Sequence, residues 1–311
     1  MIVNLVKIKK YLIYFFLFLF FNCIFNSSLN ANPQFRARLA IPEQEIRGIE
    51  FNNDGSKMFT AGTGDDDDID EYSLTTPYDI TTAGTPDDSL TVGGNVQGIR
   101  FNDDGTKMFL MPFTDGNIRE IHLGTAFDIS SQTNLADPPV LGFGVGGLSN
   151  SSQNAISIEF NSDGTKLFVL DPAADEIDEY TLSTGFDIET AVSYVQSLSI
   201  GSEENNPTSI AFDPTGTTLF VVGTQNDRVH EYVLTTGFDL STATVVNDSN
   251  GDAIFFHTDQ SRSKGGPHPR TIIFNDDGTK MYIGETGQDE INEYTLPVSY
   301  THLTLPTNGE V

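Results

Sequence analysis

Acidic and amide side chains recur in five loops of this 311-residue chain. The first loop reads Asp65-Asp66-Asp67-Asp68, and the later ones contain Asp115, Asp171 with Asp175, Asn226 with Asp227, and Asp289. Calcium takes about six to eight oxygen ligands from side chains and carbonyls, so clustered carboxylates are candidate ligands for it. A charge run in a loop is also often only a solvated rim. Both interpretations stay open, and the candidate calcium ligands are Asp65, Asp66, Asp67 and Asp68.

A second candidate calcium site lies in the long segment from Asn247 to Arg270. Three residues at alternate positions carry side-chain oxygens, namely Asp248, Asn250 and Asp252. The start of a calcium-binding loop has the same spacing of oxygen ligands. Gly251 comes two places too early for such a loop, and Ala253 to Phe256 is strand-like. Calcium is therefore the candidate cofactor, with these three residues as a second possible ligand set.

Motifs for catalysis are absent from the sequence. The chain has no Gly-x-Ser-x-Gly elbow and no glycine loop for phosphate. His122 and His230 occupy different positions of their repeats, so they predict no ring of metal ligands. His257 and His268 lack a third ligand at a known metal-site spacing. An active site assembled from several repeats leaves no local motif, so an enzyme is not excluded.

The elements that must position these residues are built on one recurring unit, a tight hairpin. Its sequence is Ile-x-Phe, a four-residue turn that ends in Gly, and then, three residues after the Gly, Met or Leu followed by Phe or Tyr. The turns are Asn52–Gly55, Asn102–Gly105, Asn161–Gly164, Asp213–Gly216 and Asn275–Gly278. A type I turn favours Asn or Asp first and Gly fourth, where a left-handed conformation forms a bulge. The flanking Ile, Phe, Val and Met residues are typical of strands.

Two further strands complete each repeat. A Glu at nearly constant distance from the Gly marks the third strand, and Tyr follows it in four of the five repeats. A looser fourth strand falls within Ser89–Val92, Val140–Phe143, Tyr194–Ile200 and Thr244–Thr258. Four strands per repeat at this period are typical of a β-propeller, in which thin sheets stack around an axis.

The repeat resembles YVTN-type and related WD-like propeller repeats, and Phe101 to Phe109 (Phe-Asn-Asp-Asp-Gly-Thr-Lys-Met-Phe) with its copies carries the resemblance. The resemblance covers residues 35–296 and implies one all-β domain of five four-stranded antiparallel blades. Phe35–Ile41 stands where later repeats have their fourth strand, so it is expected to close the ring by pairing with the last blade. Propellers host binding proteins, scaffolds and several enzyme classes, so the fold implies no single function.

Two motifs between the strands have structural explanations. The recurring glutamates Glu71, Glu120, Glu179, Glu231 and Glu293 are expected to accept hydrogen bonds from a neighbouring blade, since a buried carboxylate needs partners. In Thr184-Gly-Phe-Asp-Ile188 and its copies, the aromatic ring is expected to plug the loop onto the blade. The Asp of this motif is expected to accept a hydrogen bond from the backbone two residues on.

The two ends of the chain read differently from the repeats. Residues 1–31 have a basic start, an apolar run from Tyr11 to Phe21 and a small-residue end, which is the layout of a secretory signal peptide. An uncleaved anchor is the alternative. Cys23, the only cysteine, falls within this segment, so no disulfide is expected in the mature protein. Residues 297–311 resemble a translated sequencing adapter, and we interpret them as a non-native tail; a genuine C-terminal tail is the alternative.

The composition limits the classes of partner. The formal charge of −28 disfavours nucleic acid and anionic membrane surfaces, both of which demand a basic protein. It suits a soluble exported protein, periplasmic, cell-surface or extracellular, that attracts cations or basic partners. We therefore expect a monomeric binding platform for protein, glycan or cation on the acidic loop face. The alternative is a periplasmic or secreted hydrolase or lactonase with a divalent metal on the propeller axis.

Overall fold

The computed structural model of the chain describes residues 33–41, 45–63, 68–112, 117–142, 155–190, 192–225, 227–247, 255–258, 268–287 and 289–296. Their strands form five antiparallel sheets that are arranged as the blades of a β-propeller. The predicted all-β class and the five four-stranded blades are thereby confirmed. The predicted signal peptide and the predicted tail lie outside the described residues. Within the described ranges, no helix is long and apolar enough to cross a membrane.

The blades follow one another along the chain, and each runs from its innermost to its outermost strand. Blade 1 contains β2 (Ile46–Phe51), β3 (Lys57–Gly62), β4 (Asp68–Ser73) and β5 (Asp88–Thr91). Blade 2 contains β6 (Val96–Phe101), β7 (Lys107–Pro112), β8 (Ile118–His122) and β9 (Val140–Leu141). Blade 3 contains β10 (Ile158–Phe160), β11 (Lys166–Asp171), β12 (Glu176–Leu182) and β13 (Val192–Ser199).

The remaining two blades depart from this plan at their outer edges. Blade 4 contains β14 (Pro207–Phe212), β15 (Thr218–Gly223), β16 (Arg228–Leu234), β17 (Ala243–Val245) and β18 (Phe255–His257). Both β17 and β18 pair with β16, at opposite ends of it, so the outer strand of blade 4 is in two pieces. Blade 5 contains β19 (Pro269–Phe274), β20 (Lys280–Glu285), β21 (Glu290–Thr295) and, from the start of the chain, β1 (Gln34–Ala40).

The ring is closed in the predicted way. β1 runs antiparallel to β21, with Phe35 opposite Tyr294, and Arg36 forms an ion pair with Glu293 at 2.9 Å. The innermost strands contact one another in the order β2, β6, β10, β14, β19 and back to β2. The pairing of chain start and chain end therefore joins the first blade to the last.

The hairpin turns have the predicted chemistry. The side-chain Oδ1 of Asn52 accepts a hydrogen bond from the amide of Lys57 at 2.9 Å, and Gly55 has a φ of +67°. Positive φ recurs at the other four turn glycines, namely Gly105, Gly164, Gly216 and Gly278. Because L side chains rarely adopt this backbone region, Gly is the residue that the turn requires.

The hydrophobic core lies between neighbouring blades rather than at one centre. One cluster joins Phe59 and Ile69 of blade 1 to Ile99 and Met108 of blade 2, and all four are almost completely buried. Burying such side chains contributes about 1.5–3 kcal/mol each, and only the next blade can cover them. Single blades are therefore not stable alone.

A lysine–glutamate pair on four of the blades fastens a neighbouring blade. In blade 1, Lys57 forms an ion pair with Glu71 and donates to the carbonyl oxygen of Phe127 in blade 2 at 2.7 Å. Glu71 accepts in turn from the amide of Ile129 at 3.2 Å. The other pairs are Lys107 with Glu120, Lys166 with Glu179, and Lys280 with Glu293. We call each pair and its backbone contacts a clamp.

The clamps confirm two predictions from the sequence. Glu120 and Glu179 also accept from amides of the following blade, at 3.1 Å each, so the expected bonds are found for Glu71, Glu120 and Glu179 among the five recurring glutamates. The clamped carbonyls belong to the plug aromatics, Tyr78, Phe127, Phe186 and Phe238. After each plug, the Asp side chain accepts from the amide two residues on, as in Asp79 with Thr81 at 3.1 Å.

Candidate functional site

The middle residues of the five Ile-x-Phe triplets surround the propeller axis. In a strand, side chains alternate between faces, so a residue between a buried Ile and a Phe that packs between blades points the other way. On an innermost strand, that face borders both the next blade and the central channel. The five residues are Glu50, Arg100, Glu159, Ala211 and Ile273, and we call them the axial tier.

The charged residues of the axial tier form a three-member cluster. Arg100 donates through one terminal nitrogen to Glu50 at 2.7 Å and through the other to Glu159 at 2.5 Å. All three side chains are mostly buried, with 11%, 18% and 15% of their surfaces exposed for Arg100, Glu50 and Glu159. The guanidinium therefore occupies the space between the two carboxylates.

Burial and mutual charge shift the pKa values of this cluster. Burial raises the pKa of Glu159 to about 7, although the Arg100 charge opposes that shift, and the Glu50 charge adds to it. Burial alone would lower the pKa of Arg100, but the charges of Glu159 and Glu50 more than reverse this, so Arg100 stays protonated. Glu159 is thus a carboxyl that titrates near neutral pH at the centre of the propeller.

A layer of small residues closes the channel behind the axial tier. A Cβ added to Gly98 would lie 3.0 Å from the carbonyl oxygen of Ile156 in the next blade, so the strands approach closely here. The hydroxyl of Ser157 accepts from the amide of Ile210 at 3.2 Å and so links blade 3 to blade 4. The space left at this level is about 10 Å³, enough for about one water molecule.

The channel is open on the other side of the axial tier, where it widens into a cavity of about 400 Å³. Its floor is the axial tier. Its wall includes the Phe of each triplet, Phe51, Phe101, Phe160, Phe212 and Phe274, and its mouth is formed by the five hairpin turns. We call this cavity the axial funnel. A blind, partly aromatic cavity of this size is typical of a small-molecule site.

The axial funnel opens at the end of the molecule opposite to the acidic loops. β3 begins beside the turn at Asn52 and ends at Gly62, just before the loop with Asp65–Asp67. The residues of the axial tier were missed by sequence reasoning. The available signal was the charge of Glu50, Arg100 and Glu159 between two residues that must be buried.

The predicted calcium ligands lie almost entirely outside the described residues. Six of them lie wholly outside: Asp65, Asp66, Asp67, Asp248, Asn250 and Asp252. For Asp68, at the start of β4, the structure describes only the backbone. Both ligand sets therefore stay predictions. Of the histidines, His122 contacts Glu120 at 2.7 Å, and His230 is buried within β16.

The acidic loop of blade 3 is described, and it brings three carboxylates together. Ligand oxygens of Asp171, Glu176 and Asp178 lie within 4.8 Å of one another. Asp171 and Asp178 are almost completely buried. Burial, followed by the Glu176 charge, raises the pKa of Asp178 to about 6, while a hydrogen bond from Tyr180 opposes the shift. This acidic trio could hold a cation, and only its Asp171 was among the acidic residues noted from the sequence.

Comparison with known proteins supports the fold. No family profile and no curated protein matches the chain. Among solved structures, the β-propeller domain of Cps50 (Swd1) from Myceliophteria thermophila is 8% identical, with a TM-score of 0.50 over 85% of this chain and all of that one. A provisionally assigned 6-phosphogluconolactonase from Bacteroides uniformis is 13% identical, with a TM-score of 0.47 over 82% of this chain and 68% of that one. At such identities the likeness extends to the propeller architecture alone.

Proposed function

We propose that the protein is an exported, non-enzymatic β-propeller that serves as a binding platform through its acidic loop face. Its partners there would be a cation, a basic protein surface or a glycan. The observation that carries the non-enzymatic part is the position of Arg100 between Glu50 and Glu159. It disfavours the alternative considered from the sequence, a hydrolase or lactonase with a divalent metal on the axis.

The argument against an axial metal is electrostatic. The two glutamates are the acidic members of the axial tier, and both already neutralise the Arg100 guanidinium at hydrogen-bond distance. A divalent cation that took both carboxylates as ligands would have to displace Arg100 from between them. The other two members, Ala211 and Ile273, offer no ligand atom in their side chains.

The acidic trio supports the platform part of the proposal. Its three carboxylates lie close together, and burial, followed by the charges of Glu176 and Asp171, raises the pKa of Asp178. The repulsion between them is the part of this shift that a cation can remove. The strongly negative net charge of the chain would in addition speed the approach of any cation or basic protein.

Calcium titration by calorimetry tests the cation component. We expect heat and a rise in melting temperature at millimolar calcium, and an affinity that falls as pH decreases through about 6, where Asp178 takes up a proton. Asp178→Asn should weaken binding about tenfold or more. Asp88→Asn, on the exposed outer strand of blade 1, is the matched control and should not. If calcium causes neither heat nor a thermal shift in the unaltered protein, the cation component is wrong.

A further inference from the structure

We propose that the axial funnel is a second binding site, for a small organic cation that carries an ammonium or guanidinium group on an apolar body. This site is independent of the acidic loop face, because the two lie at opposite ends of the strands. The inference therefore does not depend on the platform proposal. It rests on four properties of the funnel: its charge, one unengaged carboxylate oxygen, its apolar wall and its closed end.

The charge of the funnel is negative. Five acidic side chains line it, Glu50, Asp103, Glu159, Asp213 and Asp276, against the single basic side chain of Arg100. The lysines nearest to the turns do not contribute to the lining. Lys57, Lys107, Lys166 and Lys280 are held in the clamps, where each contacts a glutamate and a carbonyl oxygen. A low-dielectric cavity with an excess of carboxylates attracts cations and repels anions.

Glu159 provides the polar contact. Its Oε1 accepts from Arg100, whereas no donor in the described part of the chain engages its Oε2. On the other side of the guanidinium, both carboxylate oxygens of Glu50 accept a hydrogen bond. Arg100 donates to Oε2 and the amide of Phe51 donates to Oε1. A cationic N–H donor in the funnel would give Oε2 of Glu159 a charge-assisted hydrogen bond.

The wall explains why the cation would be organic rather than a bare metal ion. Five Phe residues, one from each blade, line the funnel, and a calcium ion would need about six to eight oxygen ligands in their place. An ammonium or guanidinium group needs fewer partners and gains from nearby aromatic rings. The apolar body of such a ligand would cover the Phe side chains and exclude water from the floor.

The floor also predicts the pH dependence of binding. The groups that face Glu159 across the axis are Glu50 and Arg100, and the other two innermost strands contribute only Ala211 and Ile273 there. A bound cation favours the ionised form of Glu159, whose pKa in the free protein is raised to about 7. Affinity should therefore increase as pH rises from about 6 to 8, with release of a proton on binding.

Three matched probes test the proposal by calorimetry and ligand-detected NMR: 2-phenylethylammonium, 2-phenylethanol and phenylacetate. They share size and ring and differ in charge. We expect the ammonium to bind at least tenfold more tightly than the alcohol, and phenylacetate to bind least. Equal binding of all three, tighter binding of phenylacetate, or no binding of the ammonium at millimolar concentration would overturn the proposal.

Variants connect the binding to Glu159. Glu159→Gln keeps the shape of the side chain and should lower the affinity for the ammonium about tenfold and abolish its pH dependence between 6 and 8. Asp88→Asn removes the same charge at an exposed position on β5 and should change neither. Glu50→Gln gives a second test if the Glu159 variant is unstable, because it lowers the charge of the same floor. Unchanged affinity in every folded floor variant would contradict the assignment of the site.

Discussion

Glu231 lacks the lysine partner that the equivalent glutamate has in the other four blades. In blade 4, Thr218 occupies the position that the clamp lysine has in the other blades. Thr218 lies opposite Val233, just as Lys57 lies opposite Ser73 in blade 1. Burial raises the pKa of Glu231 to about 7, and no charged partner offsets this. The carboxylate is thus an uncompensated charge once it ionises.

Thr218→Lys should therefore stabilise the protein above neutral pH. The folded-state pKa of Glu231 lies above its unfolded value of 4.5, so stability is lost as pH rises from about 4.5 to about 7. A lysine at 218 should recover about 1 kcal/mol of this loss, or a rise of about 2–4 °C in melting temperature at pH 8, and much less at pH 4.5. Melting curves of both proteins across this pH range provide the measurement.

The control for this substitution is Thr235→Lys, which adds the same charge at an exposed position just after β16 in the same blade. General relief of the negative net charge would raise the melting temperature equally in both variants, and that outcome would contradict a specific pair with Glu231. A pH-independent gain in Thr218→Lys would contradict the raised pKa as its cause.

For single residues, the sequence predicts the contacts of those that recur in every repeat and misses the contacts of those that do not. Glu71, Glu120 and Glu179 recur at one repeat position, and their hydrogen bonds to a neighbouring blade were predictable for that reason. Arg100 has no equivalent in the other repeats, and its partners are far away in the sequence. Packing of three consecutive blades around the axis brings Glu50, Arg100 and Glu159 together, so the charged cluster could not be read from local spacing.

Each blade element depends on its turn and on the plug that covers the turn. Phe127 packs on Gly105, and a Cβ added to Gly105 would lie 2.2 Å from the Phe127 ring. The φ of Gly105 is +69°, which also penalises any L side chain. The carbonyl oxygen of Phe127 also accepts from Lys57 of blade 1, so displacement of Phe127 would disturb the contact between the two blades.

Gly105→Ala should accordingly destabilise the protein by about 2 kcal/mol or more, the sum of backbone strain and ring displacement. Gly84→Ala is the matched control, since nothing lies within 4 Å of the added Cβ at that exposed position. Chemical denaturation of both variants measures the difference. A loss of stability at Gly105 no greater than at Gly84 would show that the plug yields without cost.

The elements differ in how well the sequence locates them. The inner hairpins were predictable because turn chemistry and strand composition agree at Asn52–Gly55 and its copies. The outer strands were predicted only loosely, because solvent covers one side and the connections vary in length: β5, β9 and β13 overlap the predicted segments Ser89–Val92, Val140–Phe143 and Tyr194–Ile200. β9 has only two residues, and in blade 4 the outer position is divided between β17 and β18.

For the whole molecule, ring closure through β1 is the feature on which stability and the axial funnel both depend. Without β1, the edge of β21 would present unpaired backbone groups, which favour association with other chains. Two ion pairs add to the backbone ladder, Arg36 with Glu293 and Arg38 with Glu290, both at 2.9 Å. β1 is thus basic where β21 is acidic, and these opposite charges favour the pairing of the two strands.

A protein that lacks residues 1–41 should melt at a clearly lower temperature and self-associate, and the peptide of residues 33–41 added in trans should reverse both effects by restoring the missing strand. Light scattering and melting curves measure the two effects. The same peptide with Arg36→Glu and Arg38→Glu keeps its length and apolar residues and should restore little, because it places negative charge against Glu290 and Glu293. If the shortened protein remains monomeric with an unchanged melting temperature, β1 does not hold the ring closed, and the five innermost strands alone must define the walls of the axial funnel.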